Sequence, residues 1–211
     1  MSLQPFETII RWLGGLLAYT ILGVVLFGVW RGTHRAAGQT TGRVAWWLRS
    51  PLFYLITTLV YIGISILLWR PLPLVLEASL RTLILWFGVF LYFPGLLLVL
   101  WGRLALGKYY FVSTGFGAQL FASHQLVTRG PFTIVRHPMY LGLILGALGG
   151  LLLYQTWTMV AFTIFAPFTI LRSRREERVL AAEFGDQWQE YCQRVPALLP
   201  RLWKKRESAH D

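Results

Sequence analysis

The chain is built of long apolar runs separated by short polar segments. Five runs stand out, at residues 9–30, 51–69, 83–101, 138–154 and 157–171. A helix crossing a bilayer core needs about 20 apolar residues, with a range near 17–25. The first three runs reach that length. The last two are shorter and are separated only by Gln155 and Thr156, which predicts a tight helical hairpin. The pattern therefore predicts an all-α, polytopic membrane protein of about five transmembrane helices, with a C-terminal helical hairpin and a cytosolic tail helix. No Ser/Gly/Pro-rich linker divides the chain. Residues 1–211 read as a single integral membrane domain, with three spans in 1–101 and a loop, hairpin and tail in 102–211. The first run does not resemble a signal peptide, because it lacks a basic leader and exceeds the usual apolar core of about 7–15 residues.

Composition agrees with the pattern. The 211 residues are 55% hydrophobic and 14% charged, with a mean hydropathy of +0.54, against about 25% charged residues in ordinary soluble domains. Ten Trp supply interfacial anchors. Basic residues are distributed unevenly. Arg31, Arg35, Arg43 and Arg49 fill segment 31–50, Arg103, Lys108, Arg129 and Arg136 fill segment 102–137, and neither segment holds an acid. The tail from Arg172 onward is also rich in Lys and Arg, whereas the opposite side carries few basic residues beyond Arg70 and Arg81. This bias predicts an N-terminus outside, and a C-terminus and active site in the cytoplasm, of a cell inner membrane or its equivalent. The net charge of +11 is then explained by attraction to anionic membrane lipids. It does not suggest nucleic acid, since the basic residues flank spans instead of forming one soluble face. A lone cysteine, Cys192, excludes an internal disulfide framework.

Candidate chemistry concentrates in two segments. The first, HQLVTRGPFTIVRHPMYLG at residues 124–142, leads into the fourth run; the second, RSRREERVLAAEFG at 172–185, follows the fifth. Pro138 suits the first turn of a helix, where its missing N–H would be unpaired anyway. That places His137 at the cap and Tyr140 in the opening turn. Free N–H groups and the positive dipole end there favour an anion, and Arg136 adds a fixed charge. Gly142 permits close approach of a helix or ligand one turn in. The bland alternative is an interfacial belt of Arg, His and Tyr meeting headgroups. In the second segment Arg172 and Glu176 are four apart and share a helical face. No Asp or Glu occurs between Glu77 and Glu176, so the Glu176–Glu177 pair at a span's end requires a partner, for which a cationic sulfonium or ammonium would serve. Three other features carry little. The Gly115–Gly117 glycines lack a βαβ setting, the scattered histidines lack metal-ligand spacing, and no serine has a nucleophile-elbow context. No acid or base lies mid-span, which argues against a coupled transporter.

The 124–142 segment, taken with EERVLAAEFGDQWQEYCQRVPALLP at 176–200, resembles the isoprenylcysteine carboxyl methyltransferase family, a group that includes phospholipid methyltransferases. The resemblance implies an integral membrane methyltransferase that uses S-adenosylmethionine, releases S-adenosylhomocysteine, needs no metal and has no Rossmann domain. It implies a cofactor site formed by His124, Leu126 and Val127 at the adenosine end, and by Arg136, His137, Tyr140 and Gly142 at the methionyl end, with Glu176 beside them. Arg172 and Glu177 match the catalytic arginine and glutamate, and Arg194, Val195 and Pro196 match a closing segment. Phe132 and Trp188 stand where tyrosines are common. The implied acceptor is lipophilic: an isoprenylcysteine-like carboxylate, a phospholipid amine or a small thiol. The alternative is a catalytically idle membrane scaffold that retains the motifs.

Overall fold

The computed structural model describes residues 4–34, 37–41, 50–110, 118–121 and 125–200. Six helices account for nearly all of them: α1 (Gln4–Thr33), α2 (Pro51–Leu67), α3 (Ala78–Leu106), α4 (Pro138–Tyr154), α5 (Trp157–Phe165) and α6 (Thr169–Arg194). The helical architecture expected from the apolar runs is present. One addition was not expected, an antiparallel ribbon of β1 (Ala37–Thr41) and β2 (Ala118–Phe121), with an irregular register between Ala37 and Thr40.

Local chemistry explains where the helices begin and end. Glu7 in the first turn of α1 and Arg31 in its last complement the helix dipole. The Ser50 hydroxyl accepts from the Phe53 N–H at 3.3 Å, and Pro51 opens α2 behind it. Gly107, at φ +50°, closes α3. Gln155, at φ +52°, ends α4 in the left-handed conformation, and α5 follows almost at once.

The helices differ in reach. Segments Pro5–Gly32 and Ala78–Tyr109 are long and apolar enough to cross a membrane. Helices α2 and α4 have 17 residues each, about 25 Å at 1.5 Å per residue. The fifth run is not one helix. It breaks into the nine-residue α5, a 3-10 turn at Ala166–Phe168 containing Pro167, and the start of α6. Proline lacks the N–H that a continuing helix would need, so the fifth expected span is interrupted. Large apolar side chains such as Leu16, Leu59, Ile66, Leu83 and Phe90 are exposed along α1, α2 and α3, a surface that suits lipid and not water.

The tightest packing joins α3 to α4. A Cβ at Gly142 would lie 2.5 Å from the Gly95 carbonyl oxygen, and one at Gly149 would lie 2.3 Å from the Tyr92 backbone nitrogen. Both contacts are with backbone, so no side chain can be accommodated, and the small residues let the two helices touch. Ile10, Leu85, Tyr92 and Leu153 form the buried apolar cluster beside this seam. At the end where α1 and α3 start, the loop after α2 binds the α4–α5 turn: Leu72 N–H donates to Gln155 O at 2.8 Å and Trp157 N–H to Arg70 O at 3.1 Å. At the other end, α6 bends at Gly185 (φ +48°). Beyond that bend Trp188, Tyr191 and Val195 pack with Leu126, Leu180, Phe184 and Cys192.

Candidate active site

The start of α4 and the first half of α6 meet at this second end, and the backbone sets the meeting. Arg136 N–H donates to Pro196 O at 2.8 Å and His137 N–H to Ala197 O at 3.0 Å. Residues 195–197 therefore run alongside the segment that caps α4. The Tyr191 hydroxyl donates to Phe132 O at 2.7 Å, which ties the tail to the turn before Arg136. Phe132 itself is buried, so its apolar ring is a packing element.

On this frame five side chains from two distant stretches converge. Arg136 donates from Nε and Nη2 to Glu177 Oε1 at 3.1 and 2.9 Å. Its Nη1 donates to the Cys192 and Val195 carbonyls at 3.2 and 3.0 Å. His137, only 6% exposed, places Nε2 2.9 Å from Glu177 Oε1 and Nδ1 3.8 Å from Glu176 Oε2. Tyr140 donates its hydroxyl to Glu176 Oε1, and its ring stacks on His137 with centroids 5.6 Å apart. The imidazole thus sits between two carboxylates and beneath a phenol ring. The hydrogen bond from His137 holds the Glu177 carboxyl below the usual carboxylate range; Arg136 adds to this and burial opposes it. The group is ionised at neutral pH. Burial pushes the Cys192 thiol up, which keeps it from serving as a ready thiolate.

The remaining expected site residues are dispersed. Arg172 lies one turn before Glu176 on α6. Leu126 is part of the Trp188–Tyr191–Val195 cluster, and Val127 is half-buried in the same approach segment. Gly142 faces α3, where it allows the helix contact already described. His124 lies outside the described residues. Among the described residues, no group of three or more His, Cys, Asp or Glu has an arrangement that could hold a metal ion.

Three contributors were not legible from the motifs. The Cys192 and Val195 carbonyls take two of the Arg136 donors, and backbone acceptors leave no trace in residue type. Tyr110 is the third. It is buried, with its phenol pushed up to about 12 by burial, while Arg103 and Arg172 pull it down and Glu176 pushes it up. It therefore stays protonated near the acidic pair. Its signal was only a tyrosine close to the end of a span, which the interfacial belt explains equally well.

The donor set fits S-adenosylmethionine in one specific respect. That molecule carries a sulfonium and an ammonium, and two adjacent carboxylates at a half-buried boundary can offset both. Arg136 is less available to the methionyl carboxylate than its position suggests, because all three of its nitrogens already have acceptors.

Similarity to known proteins falls on this half of the chain. The model of the phospholipid methyltransferase family matches residues 83–187, which include both motif segments' α4 and α6 portions. The cobalt-zinc-cadmium resistance protein CzcN of Cupriavidus metallidurans is 36% identical over 85 residues, which cover 38% of this chain and 38% of that protein. The protein-S-isoprenylcysteine O-methyltransferase of Schizosaccharomyces pombe is 35% identical over 81 residues, covering 37% of this chain and 34% of its own. Methanethiol S-methyltransferase 2 of Bradyrhizobium diazoefficiens is 36% identical over 85 residues, covering 36% and 29% respectively. Through residues 83–187 the chain belongs to the phospholipid methyltransferase family, in which the isoprenylcysteine methyltransferases are its relatives. The matched stretch spans under two fifths of the length of these relatives.

Proposed function

We propose that the protein is an integral membrane methyltransferase that transfers a methyl group from S-adenosylmethionine to a lipophilic acceptor. The carrying observation is the contact of His137 and Arg136 with Glu177, and of Tyr140 with Glu176, across about forty residues of chain. This joins the two motif segments into one polar cluster at the end of an otherwise apolar bundle. Relatives named for methyl transfer to isoprenylcysteine and to methanethiol support the reaction class.

When bound, S-adenosylmethionine would supply a methyl group already activated by its sulfonium charge. The residues of the chain then have mainly to bind, align and exclude water, and alignment alone is worth up to about 7–11 kcal/mol in favourable systems. Glu176 and Glu177 would hold the cationic methionyl end. His137 and Tyr140 fix the directions of those carboxylates, and Arg136 fixes Glu177 to the tail backbone. His124, Leu126 and Val127 remain the candidates for the adenosine end, and Arg172 for orienting the acceptor. Glu177, held low, is a weak proton acceptor. The site therefore favours an acceptor that arrives as an anion, such as a carboxylate or thiolate, for which no general base is needed. The same reading places the cluster and the C-terminus on the cytoplasmic side, where the cofactor is made, with the acceptor entering laterally from the membrane.

S-adenosylhomocysteine should bind the purified full chain and raise its melting temperature. A hundredfold excess over the dissociation constant contributes about 2.7 kcal/mol. Folded protein whose melting does not change at millimolar ligand would sink the assignment. An idle scaffold retaining the motifs would bind the ligand yet methylate none of the membrane lipids or thiols offered with labelled donor. For orientation, a cysteine at Ser208, introduced after Cys192→Ser, should resist an impermeant external reagent, and labelling from outside would reverse the topology.

A further inference from the structure

A groove of about 610 Å³, which adjoins the acidic cluster only at Tyr110, opens between α1 and the last turn of α3. Its lining is divided by polarity. One end carries Arg31, Arg103 and Lys108; the other runs up α1 past Phe27 and Val24 to Thr20. From Thr20 to Arg31 the helix rises about 16 Å. No Asp or Glu occurs anywhere between Glu7 and Glu77, or between Glu77 and Glu176, so the elements that line this groove contribute no carboxylate. Glu176 is felt here through Tyr110, at the groove's edge.

Arg103 is the unusual member. It is 9% exposed, its guanidinium carbon sits 4.3 Å from the centre of the Tyr110 ring, and Nη1 donates to Gly107 O at 3.2 Å. Its Nε is buried without a hydrogen-bond partner. A buried donor left unsatisfied is costly, and more so on a charged group, so an arginine held this way calls for an acceptor. The fold has made room for it. A Cβ at Gly28 would lie 2.0 Å from Nη2 and 2.6 Å from Nε, so the guanidinium can occupy this place only because α1 has a glycine there.

We propose that this groove binds an anionic membrane phospholipid, its phosphate held by Arg103, Arg31 and Lys108 and its acyl chains laid along α1 toward Thr20. The shape selects a lipid over a free anion. A cationic pocket continuous with an apolar channel between two helices that can cross a membrane matches an amphiphile with a negative head. A juxtamembrane cation is drawn to an anionic lipid surface, and a guanidinium forms the stronger paired bonds to phosphate. The site rests on the groove alone and is independent of the methyl-transfer reading.

The test uses the full chain in detergent, titrated with phosphatidylglycerol, with neutral diacylglycerol or with inorganic phosphate, reading bound lipid by native mass spectrometry and stability by melting. Phosphatidylglycerol should bind and raise the melting temperature, and the other two should not. The double variant Arg31→Gln/Lys108→Gln, in which both side chains are exposed, should weaken that binding about tenfold. Arg129→Gln, which removes an exposed cation outside the groove, should leave it unchanged. Gly28→Ala should weaken binding as well, by displacing the Arg103 guanidinium. Equal stabilisation by diacylglycerol would show that the head is not read. Equal stabilisation by inorganic phosphate would make this a free-anion site, and a double variant binding like the parent would remove the groove from the account. Each of these three results overturns the proposal.

Discussion

The two ends of the bundle each hold a carboxylate against an arginine, and the two arrangements are built for different ends. Where α1 and α3 begin, Glu7 receives Arg81 at 2.5 Å and has Arg11 at 3.8 Å, with its side chain 6% exposed. One acid faces two guanidinium groups, one of which also bonds the α4 carbonyl of Leu153 through Arg11 Nε at 3.0 Å. Every partner belongs to a helix that the ion pair pins in place. At the other end Glu177 is bound by Arg136 and His137, and Glu176 stands beside it, meeting a phenol hydroxyl and a more distant imidazole nitrogen. These carboxylates are also about four times as exposed as Glu7. The first group is closed and holds helices together. The second is open and can receive a positive charge from outside. An ion pair by itself therefore marks no site; a carboxylate that neighbouring donors leave accessible does.

The largest expected effect breaks the second group. Glu177→Gln should lower turnover about a hundredfold, the scale set by losing one preorganised electrostatic contact, measured with labelled donor on protein verified as folded. Turnover unchanged within twofold would place Glu177 with Glu7 as a purely structural acid. Glu7→Gln should show the reverse, losing about 2 kcal/mol of stability in a denaturation series because a buried charge partner is removed, with specific activity of the folded fraction preserved. Third in size is Gly142→Ala. Its new Cβ would meet the α3 backbone at Gly95 and Val99 as well as the Val99 side chain, so overpacking should cost about 1–3 kcal/mol, with cofactor affinity following stability. A specific loss of S-adenosylhomocysteine binding at unchanged melting would instead return Gly142 to the site.

Smaller effects refine the second group from within. Tyr140→Phe removes one hydrogen bond to a charged acceptor and should weaken cofactor binding by about 1.5 kcal/mol, read by calorimetry. Because His137 contacts both carboxylates, His137→Ala and Glu177→Gln should be non-additive by at least about 0.5 kcal/mol in a double-mutant cycle. Two uncoupled roles for these residues would make the effects additive. The pH dependence is the mildest test. Glu177 has a carboxyl pKa lowered in the fold, so its contribution is complete above the ordinary value, about 4.3, and is lost as pH falls through the lower native value. Melting of the parent should drop more steeply below that point than melting of Glu177→Gln, and parallel curves would remove the linkage.

Much of this was legible in the chain before its folding was known, and the parts that were not share a cause. Apolar runs located α1 to α4, since burial in lipid constrains every residue of a span. The 83–101 run underestimated α3, which continues from Ala78 to Leu106, because Arg81 and Arg103 at its ends interrupt apolarity without interrupting the helix. Pro94 inside α3 did not break it either, a tolerance known in membrane helices, whose neighbours re-satisfy the freed groups. Pro167 did end a helix. Nothing in the two prolines themselves distinguishes these outcomes.

The residue types of the cluster were likewise visible: a cap-proline segment with Arg136, His137 and Tyr140, and an acidic pair that follows a long stretch, from Glu77 onward, without acid. Sequence alone determined that these groups exist and that each lies at the end of an apolar run. Those properties depend on residue identity and local spacing, and local spacing is what a helix obeys. Only the tertiary structure decided that His137 turns one nitrogen to each carboxylate, that Arg136 is already satisfied by Glu177 and two carbonyls, that Gly142 serves α3, and that Gly28 makes room for Arg103. Each is a contact between elements far apart in the chain, fixed by the close approach of helix backbones and by the bend at Gly185. Distances of that kind arise from packing, which no periodicity in one segment can encode.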